Sequence, residues 1–269
     1  MNRYIRLISI FLVILLLIVP LGSCQKAVYH YSGETENNDI AVMGTIDVNQ
    51  PDSSKKKVAI TYDDGPHNIY TKKIVDELSK YGFNATFFII GNRVDGTNYN
   101  GSSALVYAAE KGNEIGIHGY THLEYYDKCS DEVYEEDLKK TEDNIKNEIH
   151  NTDVCLMRPA WGRISDERVK DSKYSIILWN VDSEDWKYKY SADDTDEISK
   201  QKVESIVDNV MNNVSDGNII LMHDIYQSTY DATVIILERL YAEGYEVVTV
   251  SELLGADLSA GKIFSRKSE

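Results

Sequence analysis

The chain has 269 residues and carries 28 Lys and Arg against 44 Asp and Glu, a formal net charge of −16. That excess of acid argues against a nucleic-acid partner and against any phosphate polymer, and it leaves neutral or cationic partners. The three cysteines include no Cys-x-x-Cys spacing, which argues against a thiolate zinc site.

At the N-terminus, Arg3 and Arg6 precede an almost wholly apolar run over residues 7–19, followed by Pro20 and small residues. This is the pattern of a secretory signal. The run is shorter than the roughly 20 residues that a spanning helix needs, and it leads into Leu21-Gly22-Ser23-Cys24, which resembles a bacterial lipobox. That resemblance implies removal of residues 1–23 and a lipid on Cys24, tethering the mature chain to a membrane on its extracellular or periplasmic side; an uncleaved anchor helix is the alternative. Losing residues 1–23 removes two cations and no acid, which takes the formal charge from −16 to −18. Residues 24–55 are rich in Asn, Asp, Glu, Ser and Gly, lack apolar periodicity, and read as a flexible stalk. About 30 such residues span roughly 30 Å root-mean-square, enough to lift a domain off a lipid surface. Cys129 and Cys155 remain for an exterior disulfide, although two separate thiols fit the sequence equally well.

From residue 56 the pattern changes. Seven apolar runs of strand length, at 58–62, 85–90, 114–117, 154–157, 175–181, 218–222 and 245–250, alternate with helical stretches. Tyr70, Ile74, Val75, Leu78 and Tyr81 form one helical stripe, and Val203, Ile206, Val207, Val210, Met211 and Val214 form another. Gly82, Gly112 and Gly244 stand where helix C-termini are expected. This alternation predicts an α/β fold with a parallel sheet over residues 56–255, and seven units favour closure into a (β/α)7 barrel. Residues 256–269 read as a C-terminal tail. In such folds the site lies at the C-terminal ends of the strands.

Five of the seven runs lead into ionisable groups: Asp63-Asp64-Gly65-Pro66, His118-Gly119-Tyr120-Thr121-His122, Arg158-Pro159-Ala160-Trp161-Gly162, Asp182-Ser183-Glu184-Asp185-Trp186, and His223-Asp224. The fold predicts that they converge on one rim. Gly116 and Gly119 argue that the two histidines sit on a strand-to-loop turn rather than a helix. With a carboxylate from Asp63 or Asp64 they make a set of two His and one Asp that leaves coordination positions open. Asp-Asp-Gly-Pro is also ordinary turn chemistry. Adjacent aspartates repel unless a cation compensates, and a metal ion and Arg158 can both do so.

These stretches, with Thr61-Tyr62 and Leu221-Met222 added, resemble the five ordered motifs of the NodB-type polysaccharide deacetylases, carbohydrate esterase family 4, and span residues 61–223. The resemblance implies a distorted (β/α) barrel. It also implies an acetylated glycan substrate, hydrolysis of N-acetyl groups, and one divalent metal ion, Zn²⁺ first with Co²⁺ or another transition metal as alternatives. It assigns Asp64, His118 and His122 as metal ligands, Asp63 as the base that deprotonates the attacking water, and His223 as the acid that protonates the leaving amine. Arg158 would hold Asp63 ionised, and Asp185 would orient His223. The Trp161 N–H would stabilise the oxyanion, while Trp186 and Leu221 would wall the acetyl pocket. No protein partner is implied.

Three positions depart from the common family pattern. Gly119 replaces Ser or Thr, which should loosen the loop carrying His122; Ala160-Trp161 replaces Pro-Tyr; Tyr62 replaces Phe. Tyr125, Tyr126, Tyr188 and Tyr190 follow rim motifs and are candidates for sugar contact. His30, His67 and His150 read as surface residues, with His67 nearest the rim. Rival readings are a non-haem iron oxygenase, a lipid-anchored glycan-binding protein without catalysis, and an O-acetyl (xylan-type) esterase.

Overall fold

A computed structural model describes residues 55–96, 99–122, 125–150 and 153–267. The expected signal segment, Cys24, His30 and all but the last residue of the stalk lie outside the described residues.

Nine strands among the described residues form one sheet: β1 Lys56–Gly65, β2 Thr86–Ile89, β3 Glu114–Ile117, β4 Leu156–Met157, β5 Ser175–Ile177, β6 Val181–Asp182, β7 Ile219–His223, β8 Tyr245–Val247 and β9 Ile263–Phe264. Their order is β6-β7-β1-β2-β3-β4-β5-β9, with β8 beside the first residues of β1. Every ladder between these strands is parallel, as expected from the alternation with helices. Helices α1 Tyr70–Lys80, α2 Ser102–Glu110, α3 Asp131–Glu148, α4 Asp166–Asp171, α5 Asp196–Met211, α6 Gln227–Ala242 and α7 Val250–Leu254 fill the connections. Ser130 and Thr195 start α3 and α5 by accepting from the N–H groups of Val133 and Ile198, satisfying donors that a helix start leaves orphaned. α1, α2 and α6 end two residues before Gly82, Gly112 and Gly244.

Two expectations need correction. The run at 175–181 is two strands, because its ends serve opposite margins of the sheet: β5 pairs with β4 and β9, while β6 pairs with β7. The four steps from Ile177 to Val181 reach at most about 14 Å, so this link draws the two margins together and curls the sheet into the distorted barrel. The segment read as a tail supplies β9, with Ile263 opposite Ile176 and Phe264 opposite Ile177. A two-residue strand is too short to show a period.

Strand alternation sorts the core into two layers. Ile60, Tyr62, Phe87, Ile117, Met157, Ile220 and Met222 face the helices in one cluster. Ala59, Phe88, Leu156, Ile177 and Ile219 face the barrel interior in another, which Val250, Leu253 and Leu254 of α7 complete. The Val250 N–H donates to Thr86 Oγ1 at the start of β2, so α7 closes the N-terminal mouth. Counting by twos from the interior residues reaches Thr61 and Asp63, Arg158, and Leu221 and His223. The chemistry therefore stands on the interior face, at the open C-terminal mouth.

Candidate active site

Register brings the motifs together. Asp63 lies opposite His223 and Thr61 opposite Leu221 in the β1/β7 ladder, while Ile117 lies opposite Met157, so His118 and Arg158 leave adjoining strand ends. Successive strand residues normally point to opposite faces, yet Asp63 and Asp64 both reach the same imidazole. The register explains this: Tyr62 pairs with Phe87 but Gly65 with Ile89, so β1 carries one extra residue. Asp64 sits in this irregularity with φ of 70°. Among the described residues, four non-glycine residues have positive φ, namely Asp64, His122, Trp161 and Glu184, and each belongs to a different rim motif. Such backbone costs of order 1–3 kcal/mol per residue and survives where the surroundings enforce it.

Asp64, His118 and His122 bring their ligand atoms within 4.8 Å of one another. Asp64 Oδ1 is 3.6 Å from Nε2 of both His118 and His122. It is also buried with no hydrogen-bond partner among the described residues, an expensive arrangement for a carboxylate oxygen unless a cation satisfies it. His118 Nδ1–H donates to the Arg158 carbonyl at 2.8 Å, which leaves the Nε2 lone pair facing the cluster. Burial, against the pull of Asp64, pushes the His118 imidazole down to about 3, so it is neutral. One carboxylate and two imidazoles with open positions fit a divalent cation such as zinc.

Asp63 stands beside this set, with Oδ2 3.6 Å from His118 Nε2. Its Oδ1 accepts from Arg158 Nη1 at 2.8 Å. Arg158 is fully buried, and its other donors reach Thr61 Oγ1, Ile177 O and Leu178 O, with the guanidinium over the Phe88 ring. Burial pushes the Asp63 carboxyl above its ordinary range, and Arg158 opposes that push.

His223 stands on β7, opposite Asp63 in the β1/β7 ladder. Its Nδ1 and its backbone N–H both bind the fully buried Asp185, at 2.7 Å each, and Thr229 Oγ1 donates to the same carboxylate at 2.6 Å. Burial alone would lower the His223 pKa, but the charge and hydrogen bond of Asp185, followed by Asp64 and Asp63, push it up to about 10. The imidazolium therefore keeps Nε2–H available for donation.

The remaining site residues line the rim. Trp161 is 58% exposed, its ring lies 4.8 Å from that of His122 and 6.0 Å from that of Tyr125, and its N–H has no acceptor among the described residues. Trp186 is exposed, with Lys187 over its ring, whereas Leu221 is buried beneath the rim. A cavity of about 920 Å³ between α3 and α4 contains none of the ten assigned site residues.

Several expectations change. Tyr126 is buried and cannot face a sugar. His67 is half-buried, stacks on Tyr70 and Tyr99, and accepts from the N–H groups opening α1 through Nδ1. Cys129 is a free thiol that accepts from Arg168, so it is not bonded to Cys155. Gly119 does not leave its loop untethered, because Asp137 of α3 takes the Tyr120 N–H at 2.8 Å and the Tyr126 hydroxyl. Asp137 and Thr229 escaped sequence reasoning, and Asp224, which the sequence placed at the rim beside His223, was given no role there. Asp137 and Thr229 lie within helices and carry no local signal, while Asp224 follows His223 directly and is fully buried beneath Gly65.

Comparison with known proteins converges on one family. The family model described as polysaccharide deacetylase matches residues 50–175. The peptidoglycan-N-acetylmuramic acid deacetylase PdaC of Bacillus subtilis is 37% identical over 202 residues, covering 75% of this chain and 39% of that protein. Its solved structure superposes with a TM-score of 0.65 at 36% identity, over 74% of this chain and 90% of the crystallised one. A peptidoglycan-N-acetylglucosamine deacetylase of Bacillus cereus is 36% identical over 210 residues, covering 75% of this chain and 90% of that protein. BA3943 of Bacillus anthracis, described as a pseudoenzyme of carbohydrate esterase family 4, is 26% identical with a TM-score of 0.63, over 79% of this chain and 68% of its own. The chain thus spans less than half the full length of PdaC.

Proposed function

The chain belongs to the polysaccharide deacetylase family, and on that premise we propose that it is a zinc-dependent hydrolase that removes N-acetyl groups from peptidoglycan or a related envelope glycan. The observation that carries this reading is the orphaned Asp64 Oδ1, 3.6 Å from two imidazole Nε2 atoms, with Asp63 beside it and His223 opposite Asp63 on the neighbouring strand. Asp64, His118 and His122 would hold the ion, and when bound it supplies charge that acidifies the attacking water and stabilises the developing oxyanion.

The chain's own groups supply the rest. Asp63 Oδ2 accepts a proton from the water as its oxygen bonds to the amide carbon, while Arg158 holds Oδ1 and keeps Oδ2 turned toward the cluster. The carbonyl becomes a tetrahedral oxyanion, for which the Trp161 N–H is an unspent donor worth about 3 kcal/mol. An amide nitrogen leaves poorly as an anion. His223 Nε2–H therefore protonates it as the C–N bond breaks, giving acetate and a free amine, while Asp185 stabilises the imidazole throughout. Trp161, Trp186 and Leu221 shape the opening for the acetylated sugar, and Asp63 with Oδ2 unpaired by Arg158 gives the set a use that an iron oxygenase lacks.

The test is acetate release from a panel of N-acetylated and O-acetylated glycans, with and without chelator. Activity should disappear in excess chelator and return with Zn²⁺ or Co²⁺. Full turnover by verified metal-free protein would sink the mechanism, and no release from any glycan would favour a binding protein, the reading that BA3943 keeps open. The relatives named above act on different sugars, so muramic acid and glucosamine substrates both belong in the panel.

The proposed location is the outer face of the membrane, through a lipid on Cys24. No helix among the described residues is long and apolar enough to cross a membrane. Cys24→Ala should release the protein from the membrane fraction or leave it uncleaved, with catalysis intact. Wild-type protein with no lipid by mass spectrometry would refute the anchor.

A further inference from the structure

The loop from Gly119 to His122 has an unusual problem to solve. It must hold His122, itself at φ of 61°, while starting from Gly119 at φ of 92°. Both conformations belong to the left-handed region that residues with a Cβ avoid. The loop's carbonyls are fixed from one side, since Gly119 O accepts from the Gly91 N–H at 2.9 Å and Tyr120 O from the Asn92 N–H at 3.0 Å. The Tyr120 side chain is held as well, its hydroxyl donating to Asp95 Oδ2 at 2.9 Å and its ring lying under Lys140.

The other side is closed by a group no motif contains. Asp137 Oδ2, on α3, accepts from the Tyr120 N–H at 2.8 Å and from the Tyr126 hydroxyl. Burial first, and then the Asp137 charge, keep the Tyr126 phenol protonated, so its role as donor is fixed. Space enforces the arrangement. A Cβ at position 119 would stand 2.7 Å from Tyr126 Oη and 3.0 Å from Asp137 Oδ2, so the bare glycine makes room for the phenol–carboxylate pair. Tyr126 is 1% exposed and packs edge-on against Tyr134, also from α3, so the phenol cannot swing away.

We propose that Asp137 and Tyr126 are positioning residues for the metal site, a latch that transmits the rigidity of α3 to His122 and compensates for the side chain missing at Gly119. This rests on the reading of His122 as a metal ligand. Neither residue touches the ion, water or substrate. Their effect is on how far the loop must be ordered when the ion binds: Asp137 holds the backbone two residues before His122, and the 10–100-fold that partners bonded directly to a ligand contribute to metal affinity is the upper scale for it.

The test is Zn²⁺ affinity of the full chain by chelator competition, for wild type, Asp137→Ala, Asp137→Asn, Tyr126→Phe and His122→Ala. Asp137→Ala should bind zinc more weakly, by up to about 10–100-fold, with kcat close to wild type once zinc saturates the site. Asp137→Asn keeps an acceptor for the Tyr120 N–H and should recover much of the loss. Tyr126→Phe removes one hydroxyl from a ring that stays buried, so it remains informative if Asp137→Ala does not fold, and it should shift affinity in the same direction. A purely structural role would lower the melting temperature of the metal-free protein and leave zinc affinity alone, which would overturn the latch. If His122→Ala binds zinc like wild type, the ligand reading fails and the latch falls with it. If His122→Ala loses zinc while Asp137→Ala and Tyr126→Phe do not, only the latch is wrong.

Discussion

Two buried carboxylates flank the site, and each is paired with a cation of a different kind. Asp63 binds Arg158 at 2.8 Å, and Asp185 binds His223 at 2.7 Å. Arginine does not surrender its proton at any pH a protein survives, so Arg158 supplies charge and hydrogen bonds but no proton. Histidine does surrender its proton, so the counterion of Asp185 is chemically able to serve as the proposed acid. The asymmetry matches the proposed roles. In the first pair the carboxylate has an oxygen left over for a proton, and in the second both carboxylate oxygens are spent on His223 and Thr229, so the imidazole is the mobile member. In the proposed mechanism two pairs of similar length therefore do opposite work, one receiving a proton and one giving it.

Breaking the first pair at its carboxylate should have the largest effect. Asp63→Asn keeps the size and one hydrogen-bonding oxygen but cannot take a proton, so turnover should fall about 10²–10⁴-fold with metal stoichiometry near normal. Asp64→Asn should instead lose metal, with activity partly recovered at high metal concentration. Equal metal loss in both variants, or normal turnover by Asp63→Asn, would show that the adjacent aspartates are assigned the wrong way round.

Breaking the same pair at its cation tests stability. Arg158→Met leaves Asp63 buried without its partner and takes the guanidinium donors from the Ile177 and Leu178 carbonyls, which should cost about 3–5 kcal/mol in urea unfolding. A loss within 1 kcal/mol would mean that Arg158 contributes as little as a surface ion pair does.

The second pair should respond to pH more than to denaturant. Because the folded His223 pKa is raised to about 10 from an ordinary 6.5, its stabilisation is complete below pH 6.5 and is lost as pH rises through about 10. A bound cation beside Asp64 cancels part of that rise. Asp185→Asn removes the main upward push, so the alkaline limb of kcat/KM should move to lower pH by roughly one unit or more. An unmoved limb would mean that His223 is not the acid seen in the rate.

Much of the site was legible because it depends on short-range pattern. Asp63, His118, Arg158 and His223 stand at the ends of apolar runs, and the interior positions recur every second residue, so the sequence alone puts these side chains on one rim. That Asp63 and Asp64 share one imidazole was not legible, since it requires the extra residue in β1 that only pairing with β2 reveals. Buried Tyr126 looked like its exposed neighbour Tyr125 because adjacent tyrosines carry the same local signal, and packing against Tyr134 decides between them.

The strand–helix alternation, the order of the motifs and the residue types at the mouth follow from local periodicity and from side-chain chemistry. Tertiary structure decided what depends on contacts between distant segments: the split of residues 175–181 across both sheet margins, the pairing of Ile263 and Phe264 with β5, and the fastening of the His122 loop by Asp137. Two-residue strands and single helical carboxylates have no period to read. Their position is fixed only when the closed sheet and the packed helices leave them one place to go.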